Sequence, residues 1–461
     1  MPRHKSGQKH YDKNWECESV KLDLDTALDF VKQHPKLVVS EDFELVTQKM
    51  RVRSLGFKNG ERMAQLEDSF WWIQLRIWHR KRVGTASTVF CDEENLSLVV
   101  ENAFQIADNM MVDPWFRFPL WRNEKKIVKG DDSKKWAQTE FESAFFDSLF
   151  PLITVCPTGL EEKYTQIFEE RVVARKTEKS CRFLFRDIKK INYSLINEGA
   201  GGYFRIDESK GFQSKAVNKK ELLESLLRRA NRLKTGRKLN KMVGGKYILG
   251  GSVVSVVLKS LEPMLNGYCA ALGKSIYSQS IDKDIGSKVV SLVDDGSLDA
   301  GEGSHLFDLE GTPGQRTELV HEGRLRTFLH DATSAARFNR ASSGNLVLTE
   351  GRVPSIGVTN FFLQPSSVGL GELFREMREG IFIEGIERAE KELTRDGKLR
   401  VLAYGWRVFG GSPVESLGQI PLVVDPFEIM KEISMVGSDL DFWGRYGSPS
   451  VFIEKMPLGE V

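Results

Sequence analysis

Between Ser69 and His79 the chain reads SFWWIQLRIWH, and this stretch restricts the fold more than any other. Trp71, Ile73, Leu75 and Ile77 fall on one side of an extended chain, and Trp72, Gln74, Arg76 and Trp78 fall on the other. A period of two marks a strand with one apolar face, and it does not fit the 3.6-residue period of a helix. The basic RKRVG that follows turns the chain into GTASTVF. Asp92 then stands where a helix N-cap belongs, and Leu96, Val99, Val100, Ala103 and Ala107 recur behind it at helical spacing. LDLDTALDFVKQ, upstream, reads as a short helix. Residues up to 110 therefore read as one α+β unit.

Composition narrows the class. With 41% hydrophobic and 28% charged residues in 461, the chain is ordinary globular material, long enough for two or three domains. A net charge of +2 argues against a strong non-specific hold on nucleic acid or an anionic membrane. No apolar run reaches transmembrane length. The start, MPRHKSGQKHYDKNW, is polar and basic, unlike a secretory signal. Cys17, Cys91, Cys156, Cys181 and Cys269 are scattered and never form CxxC, which argues against a disulfide framework and a cysteine zinc site. That usage suits a reducing cytoplasm.

The middle of the chain is less regular. A boundary is expected near Pro151 or Pro157, after PWFRFPLWRNEKK and GDDSKK. A helix is expected around EEKYTQIFEERVV, then a strand at RFLFRDI and a hairpin at INYSLINEGAGGYFRID. In the helix ELLESLLRRANRLK, Leu222, Leu223, Leu226, Leu227 and Ala230 supply the buried stripe. The basic TGRKLNK and Gly244-Gly245 mark a second boundary. Beyond it, short β-like runs (KYILGG, KVVSLVDDG, TELVHEG, RLRTFLHD, KLRVLAYGWRVF) alternate with glycines, and helices are expected at 371–378 and 426–436. The expectation is an α+β protein: an N-terminal α+β domain over 20–150 and a β-dominated, barrel-like antiparallel domain over 243–461. Between them, 151–242 is a strand–helix segment that stands alone or joins the first domain.

Several stretches imitate catalytic motifs. VHEGRLRTFLH (320–330) holds a His-Glu pair, yet Leu325 stands four residues after His321, where a zinc-protease helix needs its second histidine. Glu322-Gly323 instead suits a two-residue turn that sets Val320 opposite Leu325. His330 would then lie at the far end of a strand, roughly 20 Å from His321 at about 3.3 Å per residue. Gly267–Ser275 imitates a phosphate loop but has five residues between its glycines where four are needed. The acidic run 294–311, with Asp294, Asp295, Asp299, Glu302, His305, Asp308 and Glu310, misses calcium-loop spacing and reads as solvated turn carboxylates. No GxSxG elbow occurs. An enzymatic alternative would need His305, His330 and Asp308 in one pocket.

The run 291–338 resembles the TldD/PmbA (TldE) family. The resemblance rests on Phe307-Asp308-x-Glu310-Gly311, Gln315-Arg316-Thr317 and Leu329-His330-Asp331. It extends to Ser342-Ser343-Gly344-Asn345, Val358-Thr359-Asn360, Val436–Leu440 and Gly447-Ser448-Pro449, and upstream to SLGFKNG and RVGTAST. It covers roughly residues 40–455. It implies an assembly in which a TldD-type subunit binds zinc through HExxxH and a later cysteine, and cleaves flexible peptides. A PmbA/TldE-type subunit shares the fold and lacks the ligands. Counting back from Ile285-Gly286, the HExxxH window falls on Glu262-Pro263-Met264-Leu265-Asn266-Gly267, with Glu262 and Gly267 at the ligand positions and Pro263 at the general-base position. No histidine lies between His79 and His305, and no cysteine follows Cys269. Zinc hydrolysis needs three protein ligands and an open water site. The expectation is a non-catalytic TldE-like subunit that binds no metal or cofactor itself. Its partners would be a zinc-bearing TldD-like subunit and an unstructured peptide, in the cytoplasm, without membrane or nucleic acid. The other family-motif residues, from Phe307 through Asn345, would serve structure or interface. The alternative is a stand-alone binding or regulatory homodimer of the same fold.

Overall fold

The computed structural model describes residues 24–119, 121, 159–176, 182–197, 204–213, 219–239, 244–348, 353–387 and 397–457. The expected boundary at Pro151 or Pro157, GDDSKK and the tip of the GAGGY hairpin lie outside these residues. The first half is built on one six-stranded antiparallel sheet. Its strands are β1 (Asp42–Lys58), β2 (Glu61–His79), β3 (Arg82–Thr88), β4 (Leu160–Arg175), β5 (Arg182–Asn197) and β6 (Phe204–Phe212), in the order β3-β2-β1-β4-β5-β6. SFWWIQLRIWH is the second half of β2. Asn59-Gly60 turns β1 into β2 with both residues at positive φ, which suits a tight hairpin.

Helices α1 (Leu24–Gln33), α2 (Pro35–Val39) and α3 (Glu93–Asn109) cover one face. Asp92 caps α3 by accepting the Asn95 N–H at 2.8 Å. The α3 stripe, Leu96, Val99, Val100, Ala103 and Ala107, packs on Phe43, Leu45, Ile73, Leu75 and Ile77. Each fully buried Val, Leu or Ile there contributes about 1.5–3 kcal/mol. Farther along the sheet, α4 (Lys219–Thr235) buries Leu223, Leu226 and Ala230 against Tyr164, Ile191 and Ile206.

The other face of β2 is buried too. Trp72, Gln74 and Arg76 are 2%, 5% and 9% exposed, although alternation alone would assign the polar pair to solvent. They lie under the second half of the chain. The segment EEKYTQIFEERVV, expected as a helix, is strand β4, paired with β1 along its length. Its Glu and Gln content favours helix locally, but pairing on both edges and burial on both faces override that preference.

The second half contains two open six-stranded sheets. Its strands are β7 (Tyr247–Leu249), β8 (Leu292–Asp295), β9 (Arg316–His321), β10 (Arg324–Leu325), β11 (Leu346–Leu348), β12 (Pro354–Ile356), β13 (Phe361–Leu363), β14 (Gly380–Glu387), β15 (Leu399–Phe409), β16 (Ser412–Val424), β17 (Ile433–Val436), β18 (Asp441–Trp443), β19 (Tyr446–Ser448) and β20 (Val451–Ile453). One sheet runs β10-β9-β8-β13-β19-β18 and the other β16-β15-β14-β7-β20-β17, while β11 and β12 form a separate pair. The α+β class holds. The barrel-like antiparallel detail does not, because neither sheet closes and each contains a parallel pair, β13–β19 and β14–β7.

Helix α5 (Gly251–Leu261) packs against both sheets, on β14 and on β19. Its Val253, Val254, Val257, Leu258 and Leu261 join Leu292, Phe361, Ile383 and Leu417 in the main core. Short helices α6 (Gly267–Ala271), α7 (Ala332–Arg337), α8 (Leu370–Met377) and α9 (Pro426–Glu432) complete this half. The described part of the basic linker is docked: Arg237 and Leu239 donate their N–H groups to Ser416 and Gln419 on β16.

Candidate functional site

The VHEGRLRTFLH stretch forms the expected turn. Val320 faces Leu325, and Glu322 and Gly323 occupy the tight turn at φ 47° and 78°. His321 is exposed beside Glu318. The expected long strand to His330 is corrected: β10 ends at Leu325, and the chain folds inward so that His330 is 1% exposed. Phe328 and Leu329 belong to the core, and their burial pulls the segment off the sheet edge.

The HExxxH-aligned window begins directly after α5. Residues Glu262–Leu265 form one 3-10 turn, and Asn266 caps α6 by accepting the Tyr268 and Cys269 N–H groups at 2.9 and 3.0 Å. The Glu262 carboxylate is already committed. It accepts the Val358 N–H at 3.1 Å on one oxygen and the Tyr446 hydroxyl on the other. Burial, and then the charge of Glu262, holds the Tyr446 hydroxyl above its ordinary pKa. Gly267 has no room for a side chain. A Cβ there would meet the His330 imidazole, with Cε1 2.6 Å away, and the Leu329 carbonyl oxygen at 2.7 Å. Among the described residues, no group of three or more His, Cys, Asp or Glu is placed to hold a metal ion. The residues of this window do not fit zinc: one ligand position is hydrogen-bonded elsewhere and the other is filled by a neighbouring ring.

Beside Glu262 lies Asp294, 1% exposed on β8. It accepts from Asn345 Nδ2, the Thr359 N–H and the Thr359 hydroxyl, each at 2.7 Å. Burial raises its pKa to about 6 against these three donors. The acidic run is therefore corrected. Asp294, Asp295, Glu302, His305, Asp308 and Glu310 are buried, and of the residues singled out there only Asp299 is exposed. Asp294 is enclosed within the second half by Asn345 and Thr359, whereas Glu302 and Glu310 lie in the loop from 296 to 315 on which the N-terminal sheet rests.

That contact is polar at its centre. Glu44 accepts from Arg76 Nε at 3.0 Å and from Arg175 Nε at 2.8 Å, and Arg76 reaches Glu310 at 2.8 Å. Glu169 pairs with Arg171 at 2.5 Å and with Arg186. Burial opposes ionisation of Glu169, but the two arginines outweigh it and hold its pKa at about 2. Arg171 also donates to the Phe307 carbonyl at 3.2 Å, and Arg182 to that of Gly311. Burial, reinforced by the Asp331, Asp308 and Glu44 charges, pushes Glu310 upward even against Arg76. Such buried ion pairs fix one docking geometry, because either partner left alone would be an uncompensated buried charge.

The family-motif residues sort into this frame. Phe307 packs with Val46, Trp72, Val173 and Leu184 under the sheet. Asp308 accepts three backbone N–H groups, from Glu310, Thr312 and Leu346, at 2.8, 2.9 and 3.1 Å. Glu310 accepts the Ala332 N–H at 2.7 Å, and Asp331 caps α7 through the Ser334 N–H. Gly311 turns at φ +71° under Trp121. Gly344 offers its carbonyl to His305, and Asn345 bridges Asp294 and the Gly357 carbonyl. Gln315 donates to the Ser342 carbonyl, exposed Arg316 reaches Gln364, and Thr317 faces Asp294 in the β8–β9 pair.

His305, His330 and Asp308, the enzymatic alternative, are each hydrogen-bonded to other groups and not to one another. His305 lies between the Gly303 and Gly344 carbonyls at 3.1 and 3.0 Å, and His330 Nδ1 is 3.1 Å from the Ser334 hydroxyl. Burial first, then Arg186 and Arg171, lowers His305 to about 3. Residue-level reading missed Glu44, Arg175, Glu169 and Arg186. The available signal was charge alternation at 169, 171 and 175, hidden by the helical reading of β4.

Comparison with known proteins agrees with this architecture. Residues 245–460 match the model of the PmbA/TldA metallopeptidase C-terminal domain. Over this C-terminal part the chain is similar to the TldD/PmbA family. It is 26% identical over 228 residues to a metalloprotease TldD homolog of Buchnera aphidicola, covering 46% of this chain and 47% of that one. It is 30% identical over 191 residues to a metalloprotease of Methanocaldococcus jannaschii, covering 40% and 41%. The chain thus spans less than half the length of the curated relatives it matches. The whole fold is similar to TldE from Thermococcus kodakarensis, with TM-score 0.72 and 15% identity over 94% of this chain and 98% of that one. It is also similar to a Thermotoga maritima protein named for modulation of a DNA gyrase, with TM-score 0.75 and 17% identity over 95% and 100%. At those identities the likeness is one of fold. No helix among the described residues is long and apolar enough to cross a membrane.

Proposed function

We propose that this chain is a non-catalytic, TldE-like subunit of a TldD/TldE-type zinc metalloprotease assembly that acts on flexible peptides in the cytoplasm. One observation carries the reading. The window aligned with HExxxH offers a proline at the general-base position and, at the second ligand position, a glycine whose side-chain space holds the His330 ring. A proline has no group to take a proton, and a glycine has no side chain to bind metal. The metal and the hydrolytic water would then belong to a TldD-like partner, with this chain shaping the chamber around an extended peptide. Open sheet edges suit such a role, because they read peptide backbone without demanding a sequence.

The test is to purify the chain alone and together with a TldD-like protein. Zinc is measured by elemental analysis, and hydrolysis with an unstructured peptide. The expected result is zinc and cleavage only with the partner. Stoichiometric zinc and cleavage by the isolated chain would overturn the proposal, and a stable homodimer that captures no TldD-like chain would favour a stand-alone binding protein.

A further inference from the structure

The window at the end of α5 is more than a motif short of ligands. The imidazole of His330 stands where a residue-267 side chain would project, with Cε1 2.6 Å from the ideal Cβ position. The residue is held through its backbone and through Nδ1 of the ring, while Nε2 is buried without a hydrogen-bond partner. The His330 N–H donates to the Ser343 hydroxyl at 2.7 Å, its carbonyl accepts the Ser342 hydroxyl at 3.1 Å, and Nδ1 meets Ser334. Phe328 and Phe338 pack against it, with ring centroids 6.4 and 5.2 Å away. The strand-like contact behind it is closed as well, since Gly267 N–H donates to the Leu329 carbonyl at 2.8 Å and the Leu329 N–H to Leu265. Across the window, Tyr446 and Val358 occupy both carboxylate oxygens of Glu262.

We propose that His330 is an internal plug for position 267, so that the window is closed to a metal by packing and not only by the residue types it contains. Any side chain at 267 must evict the ring, which would break the Nδ1 contact with Ser334 and the packing on Phe328 and Phe338. This deepens the non-catalytic reading and shares its alignment of the window, but its core, the exclusion between residue 267 and His330, is independent of that alignment.

The experiment is a double-mutant cycle in the full chain. Tm is measured for wild type, Gly267→Ala, His330→Ala and the double variant, so that the coupling is separated from the cost of each change. The expected result is a clear Tm loss from Gly267→Ala in the wild-type background and a substantially smaller loss once His330 is replaced by alanine. A Gly267→Ala chain that folds only in the His330→Ala background supports the plug equally. Additive losses, or failure of both chains carrying Gly267→Ala to fold, would overturn it, since the Leu329 backbone rather than the ring would then be the obstacle. Zinc in the unmodified chain would sink the non-catalytic reading while leaving the cycle between 267 and 330 intact.

Discussion

Acid should destabilise this protein through His330, and the size of the effect follows from its surroundings. Burial, and then the charge of Arg340, lowers its pKa from 6.5 to about 4. The unfolded chain therefore binds a proton that the folded chain refuses between those values. The stability is fully present above pH 6.5 and drains away as the pH falls toward 4. Between pH 8 and pH 5 the loss from this one residue is about 2 kcal/mol, approaching about 3 kcal/mol by pH 4. Asp294 and Asp308, both raised to about 6 by burial, act with the opposite sign, because the folded chain holds their protons longer. The diagnostic quantity is therefore a difference. Urea denaturation of wild type and His330→Gln, followed by tryptophan fluorescence at pH 8, 7, 6 and 5, isolates the histidine, since both chains share the carboxylates. The glutamine removes the titration and costs a constant amount in packing. The stability gap between the two chains should narrow by about 2 kcal/mol on going from pH 8 to pH 5. A gap that stays constant over that range would refute the reasoning.

Two further outcomes follow from the contact between the halves. Asp308→Ala strands three buried N–H donors, at about 1–3 kcal/mol each, so it should lower Tm severely, while Asp308→Asn, which keeps an acceptor, should fall between it and wild type; equal losses would refute the acceptor role. Arg76→Ala leaves Glu310 without its cation and should cost about 3–5 kcal/mol in chemical denaturation, with Arg76→Met/Glu310→Leu costing less than the sum of its single changes; strict additivity would mean that the pair does not couple the two halves.

Much of the architecture was legible in sequence because it obeys local periods. The alternation of β2, the Asp92 cap and stripe of α3, the stripe of α4 and the Glu322-Gly323 turn each depend on residues close in the chain. The resemblance to the TldD/PmbA family was legible from motifs such as Phe307-Asp308-x-Glu310-Gly311. These motifs are distinctive because their side chains serve fixed backbone donors: Asp308 serves three and Glu310 one.

Burial of the second face was not legible. Gln74 and Arg76 look like the wet side of a strand, and Glu169 and Arg171 look like a helix surface, until a second half of the chain is laid over them. Charged residues read as solvated when the groups that cover them are remote in sequence, and here Arg76 reaches Glu310 across 234 residues and Arg171 the Phe307 carbonyl across 136. The same holds for the window at the end of α5. Sequence by itself determined that Pro263 and Gly267 cannot perform the chemistry of HExxxH, because residue type sets what a side chain can bind. Only the tertiary structure decided what stands in that space. The burial of Phe328 and Leu329 draws His330 off the sheet edge and into the place a ligand at 267 would need.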